Sequence, residues 1–165
     1  MSANQAIALV MGYPMDPVIS KLVRTGINQT EAVICCRELL KFLFICVRYP
    51  GDWPMMSQKV DAAWHEAILN TPFYFGLCRQ LGVGYLHHQP REGFDDPKGI
   101  QALYAEFRGH YRYYFGEPPI SVWPINIYHA TFTAWCCRSS EPLPPDNEGD
   151  GQGDGDNTSY QSAAA

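Results

Sequence analysis

The sequence predicts an all-α protein, a small bundle of about five helices with an irregular aromatic C-terminal segment. Two observations carry that reading. Apolar residues recur at three- and four-residue steps, most clearly between residues 28 and 48. Helix start and stop signals also come in matched pairs: Asp16-Pro17, Thr71-Pro72 and Asp96-Pro97 open segments that Gly26, Gly82 and Gly116 close.

Taken in order, residues 1–15 read as an irregular N-terminal arm broken by Gly12 and Pro14. Asp16-Pro17 then supplies an N-cap and a first-turn proline for a helix to Arg24. Asn28 and Glu31 have capping-box spacing, and the helix they open runs to Arg48. Its Val33, Cys36, Leu39, Leu40, Leu43, Phe44 and Val47 form a broad buried face. Pro50 and Pro54 stop it. A third helix is expected from Ser57 to Asn70, with Val60, Trp64, Ala67 and Ile68 on one side and Trp64 as a core anchor. Thr71-Pro72 starts a fourth, to Leu81, and residues 83–90 read as an extended connection. The fifth runs from Asp96-Pro97 to Phe115. Residues 125–137 are rich in β-branched and aromatic types, and helix and strand are tied there. From Ser139 onward Pro, Gly, Asp, Asn and Ser dominate. The expected organisation is therefore an arm at 1–15, a helical domain at 16–138 and a disordered acidic tail at 139–165.

Composition sets limits on function. The 165 residues are 46% hydrophobic and 13% aromatic, enough for a core and too apolar for global disorder. The net charge of -5 is uneven: residues 141–165 hold six acids and no base. That leaves eleven acids against twelve bases in residues 1–140, a balance that argues against nucleic-acid binding. No apolar run reaches the roughly 18 residues a bilayer requires, and the start lacks a signal-peptide pattern. The expectation is a soluble cytoplasmic protein with no membrane partner. In that compartment the six cysteines do not suggest a disulfide framework. Cys35, Cys36 and Cys46 read as small buried apolar groups, and packing is also favoured for Cys136-Cys137, although a vicinal pair can bind a soft metal.

One constellation carries chemistry. Asp61 and His65, four apart, share a helical face. Cys78 follows on the next helix, and His87-His88 on the extended segment after it. A helical hairpin followed by a strand can bring His65, Cys78 and one of His87 and His88 together. Imidazole and thiolate suit one zinc or iron ion, with Asp61 as a further ligand or as the group that orients a ring N–H. If the chain is an enzyme, Glu66 or Asp61 is the general base by position. The spacing is not diagnostic. Paired C-x-x-C is absent, and His65-Glu66 does not complete H-E-x-x-H because residue 69 is leucine. The rival reading has His65 bonded to Asp61 in the core, Cys78 packed, and both later histidines in a loop.

Other features weigh less. Tyr111, Tyr113, Tyr114 and Phe115 beside Arg108 and Arg112 fit either a stacking surface or a helix end packed on the core, and the lack of basic excess favours packing. Residues 151–157 alternate glycine with oxygen ligands but lack a calcium loop's closing glutamate. Gly82-Val83-Gly84 follows a helix, the wrong context for a phosphate cradle.

Several motifs, taken together, resemble a family. They are Glu38 to Leu43, the Asp61-x-x-Trp64-His65 helix, the Tyr74-x-x-x-Cys78 helix, Leu86-His87-His88-x-Pro90, Phe115 to Pro119 and Trp123-Pro124. The pattern over roughly residues 35–125 is similar to bacterial glycine-rich domain-containing proteins, relatives of the plant proteins of that name. The resemblance implies Asp61, Trp64, His65, Cys78, His87 and His88, with Glu38, as the residues to watch, and it implies no reaction. Plant relatives often carry a second histidine where this chain has Ala67, which would make the site poorer by one ligand.

The leading expectation is a metal-binding protein that uses His65, Cys78, His87 and His88, as a metal-dependent enzyme or a biosynthetic accessory protein. The alternative is a non-catalytic module for an unknown protein partner, burying Trp64 and residues 111–115 against it. Redox sensing through Cys78 or Cys136-Cys137 is a third, requiring an exposed thiol of lowered pKa.

Overall fold

Helix α3 (Gln29–Arg48) is the axis around which the chain is wound. The computed structural model describes residues 2–90, 96–125 and 132–138, with residues 137 and 138 described by backbone only. The Asn28 side chain accepts from the Glu31 N–H at 2.9 Å and fixes the start of α3. Leu39, Leu40, Phe42, Leu43 and Ile45 are all buried, so apolar contact continues nearly all round its middle. Helices therefore pack on several sides of it: α1 (Ala3–Met11), α2 (Asp16–Arg24), α4 (Gln58–Leu69) and α6 (Pro97–Phe115). The short α5 (Thr71–Gln80) lies against α4.

The expected N-terminal arm is instead a helix. Ser2 accepts from the Gln5 N–H while the Gln5 side chain accepts from the Ser2 N–H, a complete capping box for α1. Gly12 and Pro14 are stop signals after a helix, not marks of an irregular segment. Tyr13 then anchors this end of the chain, its hydroxyl donating to the Phe73 carbonyl at 3.0 Å. The hydroxyl passes over Gly76, where a Cβ would stand only 2.7 Å from it, so a larger residue there would have to displace the Tyr13 hydroxyl.

The remaining helices follow their signals. Pro17, Pro72 and Pro97 lie in first turns. The Asp96 carboxylate accepts from the Lys98 and Gly99 N–H groups at 3.1 Å each. Gly82 and Gly116 have positive φ after α5 and α6.

Three short strands complete the fold: β1 (Trp53–Met55), β2 (Leu86–Pro90) and β3 (Ala134–Arg138). They form an antiparallel sheet in the order β1-β3-β2, with Cys136 paired to Trp53 on one side and to His88 on the other. The tie over residues 125–137 is thus resolved towards strand at 134–138 by pairing on both edges, which local propensity cannot report. Residues 126–131 of that stretch, the acidic tail at 139–165 and the calcium-like run at 151–157 lie outside the described residues.

A buried carboxylate ties α3 to α6. Glu38 accepts from the Tyr111 hydroxyl and the Trp123 indole at 2.7 Å each, and from the Lys41 ammonium at 2.7 Å. Arg108, also buried, donates to the Trp123 carbonyl at 3.2 Å. Tyr111 is buried, and Tyr114 and Phe115 pack edge-on against Phe44, so the core explains most of the aromatic run, while Tyr113 is exposed. Cys35, Cys36, Cys46, Cys78 and Cys136 are buried free thiols. Among the described residues, no single helix is long and apolar enough to cross a membrane.

Candidate metal centre

The site is built on α4 and β2. Ser57 caps α4 by accepting from the Val60 N–H at 3.3 Å. Asp61 then falls in the first helical turn, where the helix dipole favours a carboxylate. His65 stands one turn later on the same face. On β2, alternation from the buried Leu86 turns His87 outward and His88 inward. The His87 ring lies 4.9 Å from that of Tyr85, on the outer side.

The His88 Nε2 lies 2.7 Å from Asp61 Oδ1. His65 Nε2 is 3.8 Å from the other oxygen of Asp61, and the two imidazole rings are 4.5 Å apart. One ligand-capable atom from each of Asp61, His65 and His88 lies within 4.8 Å of the other two. The side chains of Asp61 and His88 are nearly closed off from solvent, whereas that of His65 is 54% exposed. The group therefore has a buried floor and an open side. Trp64 supplies part of the floor, its ring edge-on to His88 at 4.7 Å.

A family model described as UCP032817-like matches residues 10–113, well over half of the chain. The chain belongs to the UCP032817-like family. The resemblance to glycine-rich domain-containing proteins is corrected by this match, since no glycine-rich domain family is indicated. No curated protein and no solved structure matches the chain. The UCP032817-like match takes in all three members of the group, so the site lies inside the family region.

Within this UCP032817-like chain, Asp61, His65 and His88 come together, but Cys78 and His87 are not part of the group. Cys78 is fully buried, and burial pushes its thiol up to about 11. Its sulfur is not among the donor atoms that converge with Asp61, His65 and His88. The Leu86 N–H and the Tyr74 hydroxyl both approach its sulfur. Redox sensing at Cys78 finds neither the exposure nor the lowered pKa it requires. Glu66, next to His65 in sequence, faces elsewhere: it lines a shallow depression of about 280 Å³ with Pro17, Lys21, Leu69 and Asn70. Ala67 is buried in the core.

Sequence reasoning puts His87 among the principal ligands and His88 only as an alternative fourth, whereas the group that comes together holds His88 and not His87. The apolar Leu86 was the available signal, because strand period places residues 86 and 88 on one face. Tyr74, which links the floor to β2, carries no such signal. Its hydroxyl accepts from the Trp64 indole N–H at 2.9 Å and donates to the Leu86 carbonyl at 2.7 Å.

Proposed function

We propose that this protein binds one divalent transition-metal ion through Asp61, His65 and His88. The observation that carries the reading is the convergence of these three donors from two separate elements, within 4.8 Å of one another. Two imidazoles and a carboxylate suit zinc or ferrous iron, and three protein ligands leave further positions free. The exposure of His65 supports a site open to solvent on that side, as a site for chemistry needs and a closed structural site does not. An ion there would supply Lewis acidity, and for iron redox chemistry as well. Of the two carboxylates suggested as general base, Asp61 belongs to the group, whereas Glu66 faces away from it towards Pro17 and Lys21.

The test is metal content. The protein is purified without chelator under low oxygen, beside His65→Ala and His88→Ala variants, and its metals are measured by mass spectrometry. About one equivalent of zinc or iron in the parent, lost from both variants, is expected for a three-ligand site. A folded parent that neither retains metal nor takes up added zinc or ferrous iron overturns the reading.

One observation favours a second reading. The 2.7 Å contact of His88 with Asp61 already gives each of the two groups a hydrogen-bond partner. On that reading the pair is a latch between α4 and β2, and the chain is a non-catalytic module for a protein partner. The same metal measurement separates the two.

A further inference from the structure

Asp61 and His65 stand on a rigid helix, but His88 is carried by an edge strand, and a site split between two elements is only as good as the spacing between them. β3 holds one side of β2, pairing Leu86 through Pro90 with residues 138 to 134. The other side is held by α5 at one residue. Tyr74 donates to the Leu86 carbonyl at 2.7 Å, and the Leu86 N–H approaches the Cys78 sulfur. Both backbone groups of Leu86 are thereby occupied two residues before His88. The same Tyr74 hydroxyl accepts from Trp64, the neighbour of His65 on α4 and the residue whose ring borders His88.

We propose that Tyr74 is the positioning residue of this site: its hydroxyl, shared between Trp64 and the Leu86 backbone, sets the separation between the α4 donors and His88. The inference rests on reading Asp61, His65 and His88 as ligands of one ion. Tyr74 is fully buried, and burial holds its phenol well above the usual range, so it remains a neutral donor at any working pH. Both partners of its hydroxyl, Trp64 and Leu86, are themselves completely covered. Removing it leaves a buried N–H and a buried carbonyl without their partner and frees β2 to shift relative to α4. Groups that orient ligands from behind typically control affinity by about 10- to 100-fold. Cys78 assists at the same residue: serine there keeps an acceptor for the Leu86 N–H, whereas alanine does not.

The test compares the full chain with Tyr74→Phe, Cys78→Ser and Cys78→Ala, each shown to be folded by circular dichroism well below its melting temperature. Zinc affinity is measured by competition with a chromophoric chelator, and the absorption bands of bound cobalt(II) report ligand geometry. In the metal-free proteins the His88 ring N–H resonance is followed by NMR as a measure of the contact with Asp61. Tyr74→Phe is expected to weaken zinc by about 10-fold or more, alter the cobalt bands and shift the His88 resonance. Cys78→Ser should stay closer to the parent than Cys78→Ala. Parent-like affinity and bands in a folded Tyr74→Phe overturn the positioning role while leaving the metal reading intact. If the parent binds no zinc or cobalt, the metal reading fails and the His88 resonance decides: a shift in Tyr74→Phe upholds positioning of His88 on Asp61, and an unmoved signal overturns it.

Discussion

Trp123 donates its indole N–H to Glu38 Oε2 at 2.7 Å, joining two residues 85 apart in sequence. The same oxygen accepts from Tyr111, and the other carboxylate oxygen takes Lys41. Three donors from α3, α6 and the segment after it thus meet one carboxylate that is only 4% exposed. Such a fully satisfied buried group favours a single arrangement of the elements around it.

Removing that carboxylate should be costly. Glu38→Ala strands a lysine and two buried donors, and we expect a loss of about 3 kcal/mol in urea denaturation. Trp123→Phe keeps the ring but removes one donor, for a loss of about 1–2 kcal/mol. Neither change should alter zinc affinity measured on folded protein, because the network does not include Asp61, His65 or His88.

The two adjacent histidines should separate cleanly. His88→Ala is expected to abolish zinc binding. His87→Ala, on the outer side of β2, should change stability by no more than about 0.5 kcal/mol and leave zinc affinity as it was. Equal losses from both, read by isothermal titration, would contradict the inward placement of His88 alone.

Alkaline pH should lower the stability of the protein relative to neutral pH. Burial, with Cys35 as a lesser cause, pushes the Cys36 thiol up to about 12, and burial pushes Cys78 to about 11, both from an ordinary 9.0. Below pH 9 these thiols are protonated in both folded and unfolded chains, so their contribution is fully present. Above it the unfolded chain releases protons that the folded one retains, and stability declines as pH rises through the folded values. The urea midpoint should fall as pH rises beyond 9, with a shallower fall in Cys36→Ala.

The start of α3 offers a local check. Asn28→Ala removes the acceptor for the Glu31 N–H, and a loss of about 1 kcal/mol is expected by thermal denaturation.

Much of the helical fold was legible because its signals are local. The Asn28 cap, the first-turn prolines at 17, 72 and 97, and the glycines that follow three helices act within a few residues of themselves. Helix α1 was missed because its stop signals, Gly12 and Pro14, are easier to see than the Ser2 and Gln5 that start it. Strand β3 was illegible for another reason: its partners, Trp53 and His88, are distant in sequence, and no local pattern encodes that pairing. Of the site, Asp61 and His65 could be paired by helical spacing. His88 could be preferred to His87 only with strand alternation in hand. Cys78 stands out by its chemical type, yet it is fully buried, and side-chain type alone does not report burial.

The middle strand of the sheet is the last of the three to be synthesised. As the chain leaves the ribosome, β1 and β2 wait without a neighbour, and a single late arrival zips both. Long-range closures of this kind are slow compared with helix formation. The α4 donors can therefore be in place on a finished helix while the strand bearing His88 still lacks β3, so a nascent chain halted short of residue 134 would hold an unfinished pocket. A chain that ends before residue 134 leaves both β1 and β2 without their shared strand partner.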